Sequence, residues 1–187
     1  MKYVSIDIET TGLDPETCQV LSVGMIVADT ENPLPFDECP KAEIVCNGQD
    51  IRGNAFALQM NAQLIDDIAK GTERDHRDYV HPDNMSMAIK SWLEIHFGQE
   101  KFTIAGKNFG SFDDHFMSKL VYEWDRMRHH RMLDPAPLYT GITDEKLPNL
   151  TSCLERAGLG GPTSHHDALS DAWDVIRLIE NHFSKVA

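Results

Sequence analysis

Asp7 and Glu9 stand two residues apart in Val4-Ser5-Ile6-Asp7-Ile8-Glu9, where apolar and polar residues alternate. Alternate residues of a strand share a face, so both carboxylates project to one side with Cα atoms about 6–7 Å apart. Like charges that close repel unless water or a cation separates them, and hard divalent ions such as Mg2+ take this kind of oxygen ligand. Thr10-Thr11-Gly12-Leu13 follows at once. It is turn chemistry, and Gly12 would let a ligand approach the backbone. For this pair alone, a solvated face of an edge strand remains an open reading.

Two further aspartates fall on faces that should be covered. Segment 111–124 patterns as a helix with Ser111 as its N-cap. Asp113 shares the side of Phe116, Met117 and Leu120, whereas Asp114 fits that stripe less well. A carboxylate there is costly unless it is paired or bound to metal, although capping the first turn also uses aspartate. The last helix, 167–183, sets Ala168, Ala172, Val175, Ile176 and Ile179 on one side, and Asp171 shares it. Asp167 suits a cap, and Asp174 and Arg177 suit the solvated side. His166 stands just before this helix, with His165 beside it. Histidine titrates near neutrality and can take a proton from water, though a histidine pair at a helix start can equally be plain surface. Together, four carboxylates and a histidine from three distant segments match what two-metal phosphodiester hydrolysis requires.

The elements that must position these groups are legible in outline. Segments 3–9, 20–28 and 41–46 pattern as strands joined by links too short for crossover helices, hence as a three-stranded meander. The stretch 54–70 is expected to be helical in two pieces, and the charged stretch 71–84 to be a loop. Segment 86–97 is an amphipathic helix with Ile89, Trp92 and Leu93 inward. Short strands follow at 102–105 and 131–134, and a helix at 147–157. One α/β domain spanning residues 1–187 is the economical fold.

Composition narrows the class. The chain has 187 residues, 41% hydrophobic and 25% charged, as in ordinary globular proteins. No apolar run is long enough to span a bilayer and no secretory segment precedes the first strand, so a soluble cytoplasmic location is the default expectation. Four cysteines without a CxxC pair suit reduced thiols better than a disulfide framework or a sulfur-rich zinc site. A formal net charge of −13 argues against a broad basic surface for gripping duplex DNA. It is compatible with a site whose bound cations attract phosphate.

Three segments resemble the motifs of the DEDDh exonucleases, the DnaQ-like group of the RNase H-like superfamily that includes proofreading exonucleases, RNase T and oligoribonuclease. They are Asp7-Ile8-Glu9-Thr10-Thr11-Gly12-Leu13, Asn108 to Phe116 around Asp113, and His166-Asp167-Ala168-Leu169-Ser170-Asp171. The first and third are the more specific. Asn108 stands five residues before Asp113, where the family pattern often has four. The resemblance implies a mixed five-stranded sheet with flanking helices. It implies Asp7, Glu9, Asp113 and Asp171 as ligands of two Mg2+ or Mn2+ ions, with Asp7 bridging them, and His166 as general base. Thr11, Gly12, Leu13 and Asn108 would contact substrate. The substrate would be the 3' end of a single-stranded nucleic acid, DNA or short RNA, with nucleoside 5'-monophosphates as products. A homodimer is compatible with it. The alternative is an inactive RNase H-like domain used for binding or as a scaffold.

Overall fold

The computed structural model describes residues 1–163 and 167–186. Its elements in chain order are β1 (Lys2–Thr10), β2 (Val20–Asp29), β3 (Lys41–Cys46), α1 (Ala55–Met60), α2 (Ala62–Lys70), β4 (Arg77–Val80), α3 (Pro82–Phe97), β5 (Phe102–Ala105), α4 (Asp113–Leu120), α5 (Trp124–Met127), β6 (Arg128–Leu133), α6 (Leu150–Ala157) and α7 (Ala168–Val186). The architecture is α/β: one mixed sheet in the order β4-β3-β2-β1-β5-β6, flanked by helices. The expected meander is present, with β1–β2 and β2–β3 antiparallel. Strands β5 and β6 add on one side and β4 on the other, all in parallel.

The sheet therefore has six strands, not five. The extra strand, β4, lies in the stretch expected to be a loop. Its four residues, Arg77-Asp78-Tyr79-Val80, are too few to show a strand pattern. It forms because Arg77 finds a buried partner, donating from Nε to Glu43 Oε2 at 2.7 Å and from Nη2 to Glu43 Oε1 at 3.1 Å.

The two faces of β1 separate as alternation requires. Val4, Ile6 and Ile8 pack with Met85, Ile89 and Leu93 of α3 and with Phe116 and Met117 of α4. On the opposite face, α7 lays Ala172, Val175, Ile176 and Ile179 against Tyr3 and Ile26. The segment before α4 departs from expectation. Ser111 lies in a short 3-10 turn, Phe112 is the N-cap, and no side chain caps that helix. Of the four free cysteines, three are buried and Cys18 is half-buried. Among the described residues no helix is long and apolar enough to cross a membrane.

Candidate active site

Ser5, Asp7 and Glu9 share the face of β1 that α7 covers, and Ser5 Oγ donates to the Ala172 carbonyl at 2.8 Å. Asp7 stands opposite Gly24 of β2. A Cβ at Gly24 would lie 2.4–2.5 Å from the backbone of Ala168 and Leu169. Only glycine lets the first turn of α7 come down on the sheet at this point, and a lone glycine inside an apolar strand is the signal for such an approach. The approach carries Asp171 to Asp7 and Glu9. One carboxylate oxygen from each of the three lies within 4.8 Å of the others.

Asp113 approaches from the opposite layer and stands outside that three-oxygen cluster. Pairing of β1 with β5 ends at Ser5 and Ala105. Further along β1, the Ile8 backbone N–H donates to Asp113 Oδ1 at 3.2 Å, which docks the start of α4 onto the strand between Asp7 and Glu9. Asp113 is buried, as its helical position predicts. Asp114 is structural: it accepts from Trp124 Nε1 at 2.8 Å and from Arg128 Nη2 at 2.7 Å.

This crowding has an electrostatic signature. Burial raises Asp7 well above the ordinary carboxylate range, and the charges of Asp113, Asp171 and Glu9 add to it. Burial and Asp171 push Glu9 up to about 8, against a lowering influence of the Asn61 side chain. Burial lifts Asp113 to about 7. Burial, with Asp174 and Asp167, does the same for Asp171. Among the described residues no lysine or arginine forms an ion pair with any of the four; the nearby arginines pair with Asp67, Asp114, Asp167 and Asp174. An all-oxygen set whose members repel one another and lack a cationic partner fits a hard divalent cation.

A cavity of about 760 Å3 opens beside Glu9, lined mainly by apolar groups that include Gly12, Leu13, Phe56, Met60 and Phe112. Leu13 and Phe56 are 83% and 70% exposed. Gly12 and Leu13 line this cavity. Thr11 is buried as a brace, with Oγ1 accepting from Gln19 N at 2.9 Å and its carbonyl from Asn54 N at 2.8 Å. Thr10 lines the cavity in its place. Asn108 is also away from the cavity. It is exposed in a left-handed conformation, φ 59°, its N–H bonded to Asp134 and its Oδ1 to Lys107. Phe56, Met60 and Asn61 come from α1 and the α1–α2 junction, and nothing in their spacing marks them as part of a site. Asn61 ties that junction to the site by donating to the Thr10 carbonyl at 3.1 Å.

His165 and His166 lie outside the described residues. Asp167 caps α7, its Oδ1 accepting from Ser170 N at 2.9 Å, as expected. Asp174, expected on the solvated side, is 0% exposed. It accepts from Thr163 N at 2.9 Å, from Thr163 Oγ1 at 2.6 Å and from Arg177 Nη1 at 2.7 Å. These three bonds satisfy a carboxylate that helical periodicity places half a turn from the apolar stripe.

The fold is shared with the part of exonuclease I that this chain spans and is consistent with an RNase H-like architecture. The Escherichia coli enzyme in its zinc-bound complex with single-stranded DNA superposes with a TM-score of 0.69 at 15% identity over 98% of this chain. A moderately thermophilic exonuclease I from Methylocaldum szegediense gives 0.68 at 17% identity over 99%. This chain spans 41% and 42% of the length of those two proteins. In sequence it is similar to the 3'-5' DNA exonuclease Cap18 of Escherichia coli, 26% identical over 185 residues that cover 95% of this chain and 91% of that protein. No family model matches the chain.

Proposed function

We propose that this chain is a metal-dependent 3'-5' exonuclease, acting as one domain on single-stranded nucleic acid and releasing nucleoside 5'-monophosphates. The observation that carries the proposal is the convergence of Asp7, Glu9 and Asp171 oxygens within 4.8 Å at the edge of a cavity. The fold shared with exonuclease I and the likeness to Cap18 point the same way. Single-stranded DNA is the substrate we favour, because Cap18 is named a DNA exonuclease and exonuclease I has been solved with DNA oligonucleotides.

Asp7, Glu9 and Asp171 would hold Mg2+ or Mn2+, with Asp113 beside Asp7 completing a site for two ions. Bound ions of this kind lower the pKa of an attacking water and offset charge on the phosphate and the leaving 3'-oxygen. The chain's own groups do the rest. His166 takes the proton of the attacking water as general base. The backbone of Gly12 and the side chain of Leu13 seat the terminal nucleotide, and Phe56 and Phe112 offer aromatic surface to an unpaired base.

The test is incubation with 5'-labelled single-stranded DNA and RNA in Mg2+, Mn2+ or EDTA. Stepwise shortening from the 3' end is expected, abolished by EDTA and by Asp7→Asn. Metal-replete protein that leaves both oligonucleotides intact sinks the proposal. An oligonucleotide bound but uncut points to the inactive binding domain instead.

A further inference from the structure

A chain of charges, buried at Arg77, Glu43 and Asp67 and exposed at Arg74, leads away from the site through α2 and β4, and the nuclease chemistry above makes no use of it. Arg77 is 2% exposed on its side chain and forks between Glu43 and Asp67, reaching Asp67 Oδ2 from Nη1 at 2.9 Å. The same Oδ2 accepts from Arg74 Nη2 at 2.6 Å. Gln63 Nε2 donates to the other Asp67 oxygen at 3.0 Å. Arg74 then extends Nη1 to Asp167 Oδ2 at 3.3 Å, across 93 residues of sequence. Asp167 is the cap of α7. Beyond the bond to Ser170 N, its carbonyl accepts from Asp171 N at 2.9 Å. The loop that presents Arg74 is itself tied down: Tyr79 Oη donates to the Thr72 carbonyl at 2.8 Å, and Arg77 N donates to the Arg74 carbonyl at 3.2 Å.

The geometry points to Arg74 as a positioning residue: it clamps the capping Asp167 to the buried Asp67–Arg77–Glu43 network and so fixes the first turn of α7, which carries Asp171 to Asp7 and Glu9. The guanidinium suits this task because its planar fork bonds two carboxylates at once, which a lysine ammonium does with less definition. The clamp joins two parts of the site. Helix α2 begins at Asn61, which braces Thr10 at the cavity, and carries Asp67 two turns on. Helix α7 carries Asp171. Arg74 holds the two helices in a fixed relation, as outer groups orient the ligands of metal sites generally. The consequence for cation binding rests on the proposed function; the clamp itself does not.

Two measurements separate them. Amide exchange in metal-free protein reads the clamp directly. In Arg74→Ala, Ser170 and Asp171 should exchange at least about tenfold faster, while Leu178 and Ile179 keep their wild-type rates. Binding of Mn2+ alone, followed by electron paramagnetic resonance, reads the consequence. A positioning role predicts binding weaker by roughly 10–100-fold in Arg74→Ala. Simple electrostatics predict the opposite sign, because removing a cation near an acidic cluster should tighten cation binding. Arg74→Lys should recover part of the affinity. Asp167→Asn keeps a good cap but loses the ion pair, and in that background Arg74→Ala should add no further loss. Unchanged exchange at Ser170 and Asp171, or Mn2+ affinity equal to or tighter than wild type, overturns the inference. A wild type that takes up no Mn2+ would instead overturn the nuclease reading, and the exchange rates then decide the clamp.

Discussion

Protons are held more tightly by Asp7, Glu9, Asp113 and Asp171 in the folded chain than they would be in an unfolded one. Burial raises all four, helped by neighbouring carboxylates, Asp113 and Asp171 to about 7 and Glu9 to about 8. For a carboxylate raised on folding, the stabilising state is the protonated one. Its contribution is complete below the unfolded pKa of roughly 4 and disappears as pH rises through the folded value. Metal-free protein should therefore lose thermal stability between pH 5 and pH 9, and Glu9→Gln should lose less. Carboxylates held below their ordinary range, such as Asp14 and Asp144, are already ionised across that window and do not contribute to the slope. Added Mg2+ should stabilise the wild type more at pH 8 than at pH 5, since binding displaces protons. Melting curves in EDTA that run parallel for wild type and Glu9→Gln would contradict this account. Also at the residue scale, His166→Ala should lower kcat by roughly 10²–10⁴-fold with Mn2+ affinity retained. A full-rate His166→Ala beside a slow His165→Ala would move the base to the neighbouring residue.

At the scale of elements, the decisive contact is a helix on a strand. Gly24 is the glycine of β2, and a methyl group there meets the backbone of α7. Gly24→Ala should cost about 1–3 kcal/mol in chemical denaturation, as overpacking does, and should also weaken Mn2+ binding because α7 carries Asp171. Gly161→Ala is the control, since among the described residues nothing lies within 4 Å of a Cβ there. Equal stability of the two variants would show that α7 can lift without penalty. Periodicity identified Asp113 and Asp171 as sharing buried faces, and it placed the carboxylates of β1 on one side. It misjudged Asp174, because a helical wheel shows which side a residue is on but not that Thr163 and Arg177 will cover it. It missed β4, because a four-residue segment opening on Arg77 and Asp78 becomes a strand only when Glu43 and Asp67 are there to receive Arg77.

The molecule as a whole carries a net charge of −13, yet it offers a largely apolar cavity beside its acidic cluster. That combination suits one unpaired terminal nucleotide better than a long duplex, whose phosphates gain affinity from basic surface. Single-stranded DNA should be shortened faster than blunt duplex of the same sequence. Phe56→Ala should raise KM by roughly one to two orders of magnitude, the worth of one stacked base, while leaving the melting temperature near wild type. An unchanged KM would place the base elsewhere than against Phe56.

The sequence alone determined the layers and which carboxylates share a face. The alternation of β1, the apolar stripes of α4 and α7, and the order of the three motifs are local patterns, and chain geometry turns each into a statement about which side chains share a face. For Asp7 and Glu9 that statement was already nearly complete, because two residues of one strand have a fixed relation. The tertiary structure decided everything that depends on which surfaces meet. It brought Asp171 down at Gly24 and docked Asp113 on the Ile8 N–H. It gave the cavity wall to Thr10, Phe56 and Asn61, not to Thr11 and Asn108. It linked Arg74 to Asp167 across 93 residues. No period in the sequence encodes such pairings, because they arise from packing between elements and not from the path of any one of them.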